Sequence, residues 1–150
     1  MDEGSAIPDV TVTIDDAVVP LASLGAPLVV YFYPKDDTAG CTTEAKDFTT
    51  LAADFTEAGV GVVGISKDTP AAHAKFTAKH ALTVRLASDV EGAACEAFGV
   101  WVEKAMYGRK YMGIERATFL FGADGRLAKA WRKVRVAGHA DTVLAAAKLL

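Results

Sequence analysis

Leu28-Val29-Val30-Tyr31-Phe32-Tyr33 is an unbroken run of apolar, β-branched and aromatic residues. A strand with no polar alternation has no face to give to water, so it belongs inside a sheet that is covered on both sides. Val60 to Ile65 is a second such run. Between the two, Ala45, Phe48, Leu51, Ala52 and Phe55 recur at helical spacing, predicting a helix over Cys41 to Ala58. Gly59 stands where a left-handed residue would end it. Strand, helix, strand predicts parallel neighbours joined by a right-handed crossover.

The remaining pattern extends this frame. Thr69 and Pro70 read as the cap and first residue of a helix reaching about His80. Arg85 to Ala87 is a short extended piece. Ser88-Asp89 reads as the cap of a helix running to about Phe98 and stopped by Gly99. Ala117 to Phe121 and Leu127 to Val134 flank the turn Ala123-Asp124-Gly125 as antiparallel strands. Asp141 to Leu150 reads as a last helix. Val10 to Ile14, paired with Val18-Val19, forms an N-terminal strand extension. The fold class is α/β: a central mixed β-sheet flanked by helices on both faces, the pattern of the thioredoxin-like fold.

The chain has 150 residues, which suits one domain over 1–150. A net charge of −3 argues against nucleic acid as a partner. The local basic run Arg126, Lys129, Arg132, Lys133 and Arg135 reads as a solvated strand edge. No apolar stretch approaches the roughly 18 residues of a membrane span. Met1-Asp2-Glu3-Gly4 lacks the pattern of an export signal, and with only two cysteines the expected location is cytoplasmic. Gly59-Val60-Gly61-Val62-Val63-Gly64 has dinucleotide-loop spacing, but it begins at a helix end rather than after a strand, so no cofactor is expected. His73, His80 and His139 lack metal-ligand spacing and read as solvent-facing or capped, so no metal is expected either. Trp101 and Trp131 read as core or as active-site wall.

Chemistry concentrates at Cys41. It lies where the first buried strand has ended and a helix begins, facing unpaired amides and the positive end of the helix dipole. Both favour the thiolate, the reactive form of cysteine. Thr38-Ala39-Gly40-Cys41 has the spacing of a dithiol motif with threonine in the first place. A hydroxyl there cannot serve as a second thiol, but it can orient a small polar substrate such as a peroxide.

Pro34-x-x-x-Thr38-x-x-Cys41 resembles the active-site signature of peroxiredoxins. Val100-Trp101-Val102-Glu103-Lys104, the loop Met106 to Gly113, and Ile114-Glu115-Arg116-Ala117-Thr118-Phe119-Leu120-Phe121 resemble the peroxiredoxin Q, or bacterioferritin comigratory protein, branch. The resemblance implies a thiol-dependent peroxidase acting on hydrogen peroxide and organic hydroperoxides. It implies Cys41 as the nucleophile, oxidised to a sulfenic acid. Arg116 would stabilise the thiolate and the leaving oxygen, Thr38 would hydrogen-bond the peroxide, and Pro34 would shield the sulfur. Glu44 would raise the thiol pKa on its own, and pairing with Arg116 resolves the conflict. A free thiol of pKa about 8.5 is about 7% ionised at pH about 7.4, so full ionisation gains only about 13-fold. Most of the rate must therefore come from alignment and charge stabilisation.

Relatives often carry a resolving cysteine five residues beyond the nucleophile, where this chain has Lys46, or near Lys75-Phe76-Thr77. Neither place holds one here. Cys95 is the remaining thiol, and it reads either as a buried small hydrophobe or as the resolver. In the first case a thioredoxin, a glutaredoxin or a low-molecular-weight thiol is the reductant. The branch implies a monomer or weak dimer. The alternative function is a thiol redox sensor or partner-binding protein oxidised at Cys41 without rapid turnover.

Overall fold

The computed structural model describes residues 1–150. Nine strands and five helices follow one another as β1 (Thr11–Ile14), β2 (Ala17–Pro20), β3 (Leu28–Phe32), α1 (Ala39–Thr50), α2 (Ala52–Glu57), β4 (Gly61–Ser66), α3 (Pro70–His80), β5 (Arg85–Ser88), α4 (Ala93–Ala97), β6 (Trp101–Met106), β7 (Arg109–Ile114), β8 (Ala117–Phe121), β9 (Leu127–Trp131) and α5 (His139–Lys148). Seven strands make one mixed sheet in the order β2-β1-β5-β4-β3-β8-β9. β3, β4 and β5 run parallel, and β8 lies antiparallel to β3. The β1–β2 hairpin is the expected N-terminal extension and joins the β5 edge through Thr13 and Ser88.

β3 is buried at all five positions, as its composition requires. Its alternate residues feed two separate cores. Val29 and Tyr31, followed by Tyr33, pack with Cys41, Phe48, Phe55, Phe76 and Val143 from α1, α2, α3 and α5. Leu28, Val30 and Phe32 pack on the opposite face with Ala94, Cys95 and Phe98 in and after α4. Each large apolar side chain so buried contributes about 1.5–3 kcal/mol.

The helix expected over Cys41 to Ala58 is two helices, interrupted at Leu51. Thr49 turns its hydroxyl to the amides of Thr83 and Val84 beside this break, and two adjacent β-branched threonines weaken helical continuity there. Gly59 ends α2 as expected, at φ 75°, with Val60 N–H on the Phe55 carbonyl. Thr69 caps α3 by accepting from the Ala72 amide. The helix expected from Ser88-Asp89 is shorter, because Ser88 belongs to β5. Asp89 caps from outside the helix, its carboxylate accepting from Ala94 and Cys95 amides. Residues 106–113, expected as a loop, are largely the hairpin β6–β7. Its turn places Tyr107 and Gly108 at φ 51° and 77°, the left-handed pair of a tight hairpin. β9 stops at Trp131 and α5 starts two residues earlier than the sequence suggested. The basic run is exposed on and beyond the edge strand β9. No helix is long and apolar enough to cross a membrane.

Candidate active site

The site forms where β3 runs out. Tyr33 makes one more backbone bond, to the Ile65 carbonyl, and Pro34 has no N–H with which to continue the ladder. Residues 34–38 then turn the chain into α1. Thr38 is the N-cap, with extended backbone, and the first helical bond runs from Thr42 N–H to the Thr38 carbonyl at 2.9 Å. The amides of Ala39, Gly40 and Cys41 therefore have no helical acceptor, and the sulfur sits in the first turn beside them.

Arg116 arrives from the other side of the sequence. Phe32 is paired with Ala117 across β3 and β8. The residue before Ala117 consequently stands at the end of β3, over the start of α1. Arg116 Nη2 donates to Cys41 Sγ at 3.3 Å, while Nη1 donates to Glu44 Oε1 at 2.6 Å. One guanidinium thus spans the thiol and a carboxylate that lies one turn along α1. Gly40 leaves room for this approach: a Cβ there would lie 3.2 Å from Nη2.

The electrostatics are uneven. Burial pushes the Glu44 carboxyl up to about 7, against the pull of Arg116. Its second oxygen, Oε2, is buried without a partner. Burial works against the charge on Arg116, yet Glu44 and Cys41 outweigh it and hold the guanidinium above its ordinary range. Lys104, on β6, is lowered by burial and by Arg116, with the Cys41 charge acting in the opposite sense.

Of the residues expected at the site, Cys41, Glu44 and Arg116 are in direct contact. The Thr38 hydroxyl does not touch the sulfur; it donates to the Lys35 carbonyl at 2.9 Å. Pro34 is exposed in the same loop. Cys95 is far from this arrangement in the fold, in the core on the opposite face of the sheet. Burial pushes its thiol pKa up, and the Asp89 carboxylate adds to the rise.

The histidines differ from expectation. His73 and His139 are buried rather than solvent-facing. His139 Nε2 meets the Thr118 hydroxyl at 2.8 Å, and burial with the nearby Arg116 pushes its pKa down to about 4. His73 contacts Asp36 at 2.6 Å, a pair the sequence reading did not single out.

The AhpC/TSA family model matches residues 4–130. A Peroxiredoxin Bcp of Xanthomonas campestris is 52% identical over 127 residues, 85% of this chain and 79% of its own length. The chain belongs to the peroxiredoxin family. A Peroxiredoxin Bcp of Bacillus subtilis is 48% identical over 120 residues, 80% of this chain and 76% of its own. Among solved structures, the X. campestris bacterioferritin comigratory protein, studied for alkyl peroxide reduction, superposes with TM-score 0.90 at 44% identity, covering 99% of this chain and 98% of the other. Peroxidoxin BcpB of Mycobacterium tuberculosis gives 0.86 at 30% identity, covering 100% and 98%. This peroxiredoxin is of the Bcp/PrxQ type with a thioredoxin fold, and it is a thiol-dependent peroxidase. Its substrate is a peroxide and its reductant a thiol.

Proposed function

We propose that Cys41 is the sulfur that meets the peroxide, within a single domain spanning residues 1–150. The observation that carries this reading is the guanidinium of Arg116, 3.3 Å from Sγ and braced by Glu44. The thiolate attacks one peroxide oxygen, the O–O bond breaks, and sulfur is oxidised to the sulfenic acid. The other oxygen leaves as hydroxide or alkoxide and takes up a proton. Arg116 faces the negative charge as it moves from sulfur to the leaving oxygen. The unpaired Cys41 amide donates to the peroxide. The Thr38 hydrogen is committed to the Lys35 carbonyl, so its oxygen lone pairs accept from the peroxide O–H. Pro34 covers the approach. Hydrogen peroxide and organic hydroperoxides both fit this chemistry.

The resolving step is of one-cysteine type. Cys95 lies across the sheet with its thiol held protonated, so an outside thiol condenses with the sulfenic acid, releasing water and leaving a mixed disulfide. A thioredoxin, a glutaredoxin or a low-molecular-weight thiol serves as reductant to a cytoplasmic monomer or weak dimer. Intact mass after one equivalent of hydrogen peroxide tests this. A gain of one oxygen, trapped at Cys41, is expected. Loss of two hydrogens within one chain would mean a Cys41–Cys95 bridge and overturn the one-cysteine reading. Steady peroxide consumption with added thiol separates an enzyme from a sensor that oxidises once and stalls.

A further inference from the structure

The loop carrying Pro34 and Thr38 has no sheet or helix ladder of its own. A cleft of about 560 Å³ separates it from α3, with Lys35, Asp36 and Asp37 on one wall and Lys75, Phe76 and Lys79 on the other. Side chains join the two elements beside this gap. The Asp36 carboxylate accepts from the Tyr33 hydroxyl through Oδ1 at 2.6 Å and meets His73 Nδ1 through Oδ2 at 2.6 Å. His73 Nε2 lies 3.0 Å from the Ala87 carbonyl, which can only accept, so that nitrogen carries a hydrogen. The Asp36 amide donates to Asp68 Oδ2 at 2.9 Å. The His73 and Asp36 side chains are 7% and 6% exposed, so these bonds form out of water, where breaking one is costly. At the surface Asp37 adds Lys79 and His80 as partners.

Cys41 is 1% exposed. A peroxide is small enough to enter by minor adjustment, whereas a thiol on a peptide or protein must bring its sulfur into line with the Cys41 sulfur. The second half of the reaction therefore requires the turn at residues 34–41 to move. We propose that Tyr33, Asp36 and His73 form a clamp that positions the Thr38–Cys41 turn and sets the balance between a closed, peroxide-reactive form and an opened form accessible to the reducing thiol. The inference rests on Cys41 being the reacting sulfur. None of the three hydrogen-bonds to the sulfur, whose partner is Arg116. They act through the backbone of residues 35–38, including the Lys35 carbonyl that holds the Thr38 hydroxyl, and so are positioning residues.

The clamp makes a prediction that a purely structural role does not: its loss moves the two half-reactions in opposite directions. His73→Asn cannot reach both Asp36 and the Ala87 carbonyl. Rapid mixing of the reduced protein with hydrogen peroxide, with dimedone trapping, reads the first step. Thionitrobenzoate absorbance after mixing with pre-oxidised protein reads the second, in which Cys41–SOH and the probe thiol give a mixed disulfide and water. Oxidation is expected to slow about tenfold or more, and thiol capture to accelerate about threefold or more. Tyr33→Phe removes one hydrogen bond and shifts both rates in the same senses by less; it decides the matter if His73→Asn does not fold. Both rates falling together, or neither changing, overturns the clamp. Absence of any trapped sulfenic acid at Cys41 in the unmodified protein would instead sink the reading beneath it.

Discussion

The two cysteines of this chain are equally hidden, at 1% exposed for Cys41 and 0% for Cys95, yet their surroundings are opposed. Both lie in the first turn of a helix. Over Cys41 the nearest charged group is the Arg116 guanidinium. Beside Cys95 the first turn is occupied by the Asp89 carboxylate, which takes the Ala94 and Cys95 amides and opposes a thiolate. A helix N-terminus therefore does not by itself make a reactive thiol. What already fills that N-terminus decides whether the thiol can be activated.

The contrast can be broken most forcefully at the sulfurs. Cys41→Ser is expected to lower peroxide consumption by about 10³-fold or more, while Cys95→Ser retains the activity of the unmodified enzyme. Equal losses would erase the distinction. Arg116→Ala follows, with a loss of about 10²-fold or more in the rate of Cys41 oxidation, measured by rapid mixing. Raising the pH should not restore it, because ionisation alone accounts for only about 13-fold. Full recovery at high pH would show that the arginine acts only on the thiol proton.

Glu44 sharpens the comparison from the stability side. Its folded pKa of about 7 lies above the ordinary 4.5, so the folded chain binds that proton more tightly than the unfolded chain. Its stabilising contribution is fully present below pH 4.5 and is lost as pH rises through about 7, a change of at most about 3 kcal/mol. Glu44→Gln should flatten this part of the stability profile in urea unfolding at a series of pH values. An unchanged slope would mean that Glu44 titrates normally. The smallest effect is expected at the other sulfur: Cys95→Ala should cost about 1 kcal/mol of unfolding free energy, as a small buried truncation, with peroxidase activity intact.

Much of the architecture is legible in short stretches. The buried runs at Leu28–Phe32 and Gly61–Ser66, the Thr69-Pro70 start of α3 and the Gly59 stop of α2 each report a local preference that the fold keeps. The hairpin β6–β7 was less visible because it is largely exposed and mixes charges with apolar residues, leaving no clean alternation. Its signal was Tyr107-Gly108 alone. Asp89 was legible as a cap, but the helix start was not: three residues separate Asp89 from α4, so the usual cap spacing places that start too early. The expected partners Cys41, Glu44 and Arg116 do converge, whereas Asp36 and His73, 37 positions apart, showed no motif.

The sequence by itself determined that two strands would be buried inside the sheet, and that a helix would open near Cys41 and so put a cysteine at its N-terminus. Those outcomes depend on side-chain polarity, turn chemistry and spacings of a few residues, all of which are local. Tertiary structure alone decided which charge each thiol faces. The register of β8 against β3 brings Arg116 over Cys41 from 75 positions away, and the sheet itself keeps Cys95 on the other side. Electrostatic neighbours are chosen by strand pairing and layer packing, and distance along the chain does not encode them.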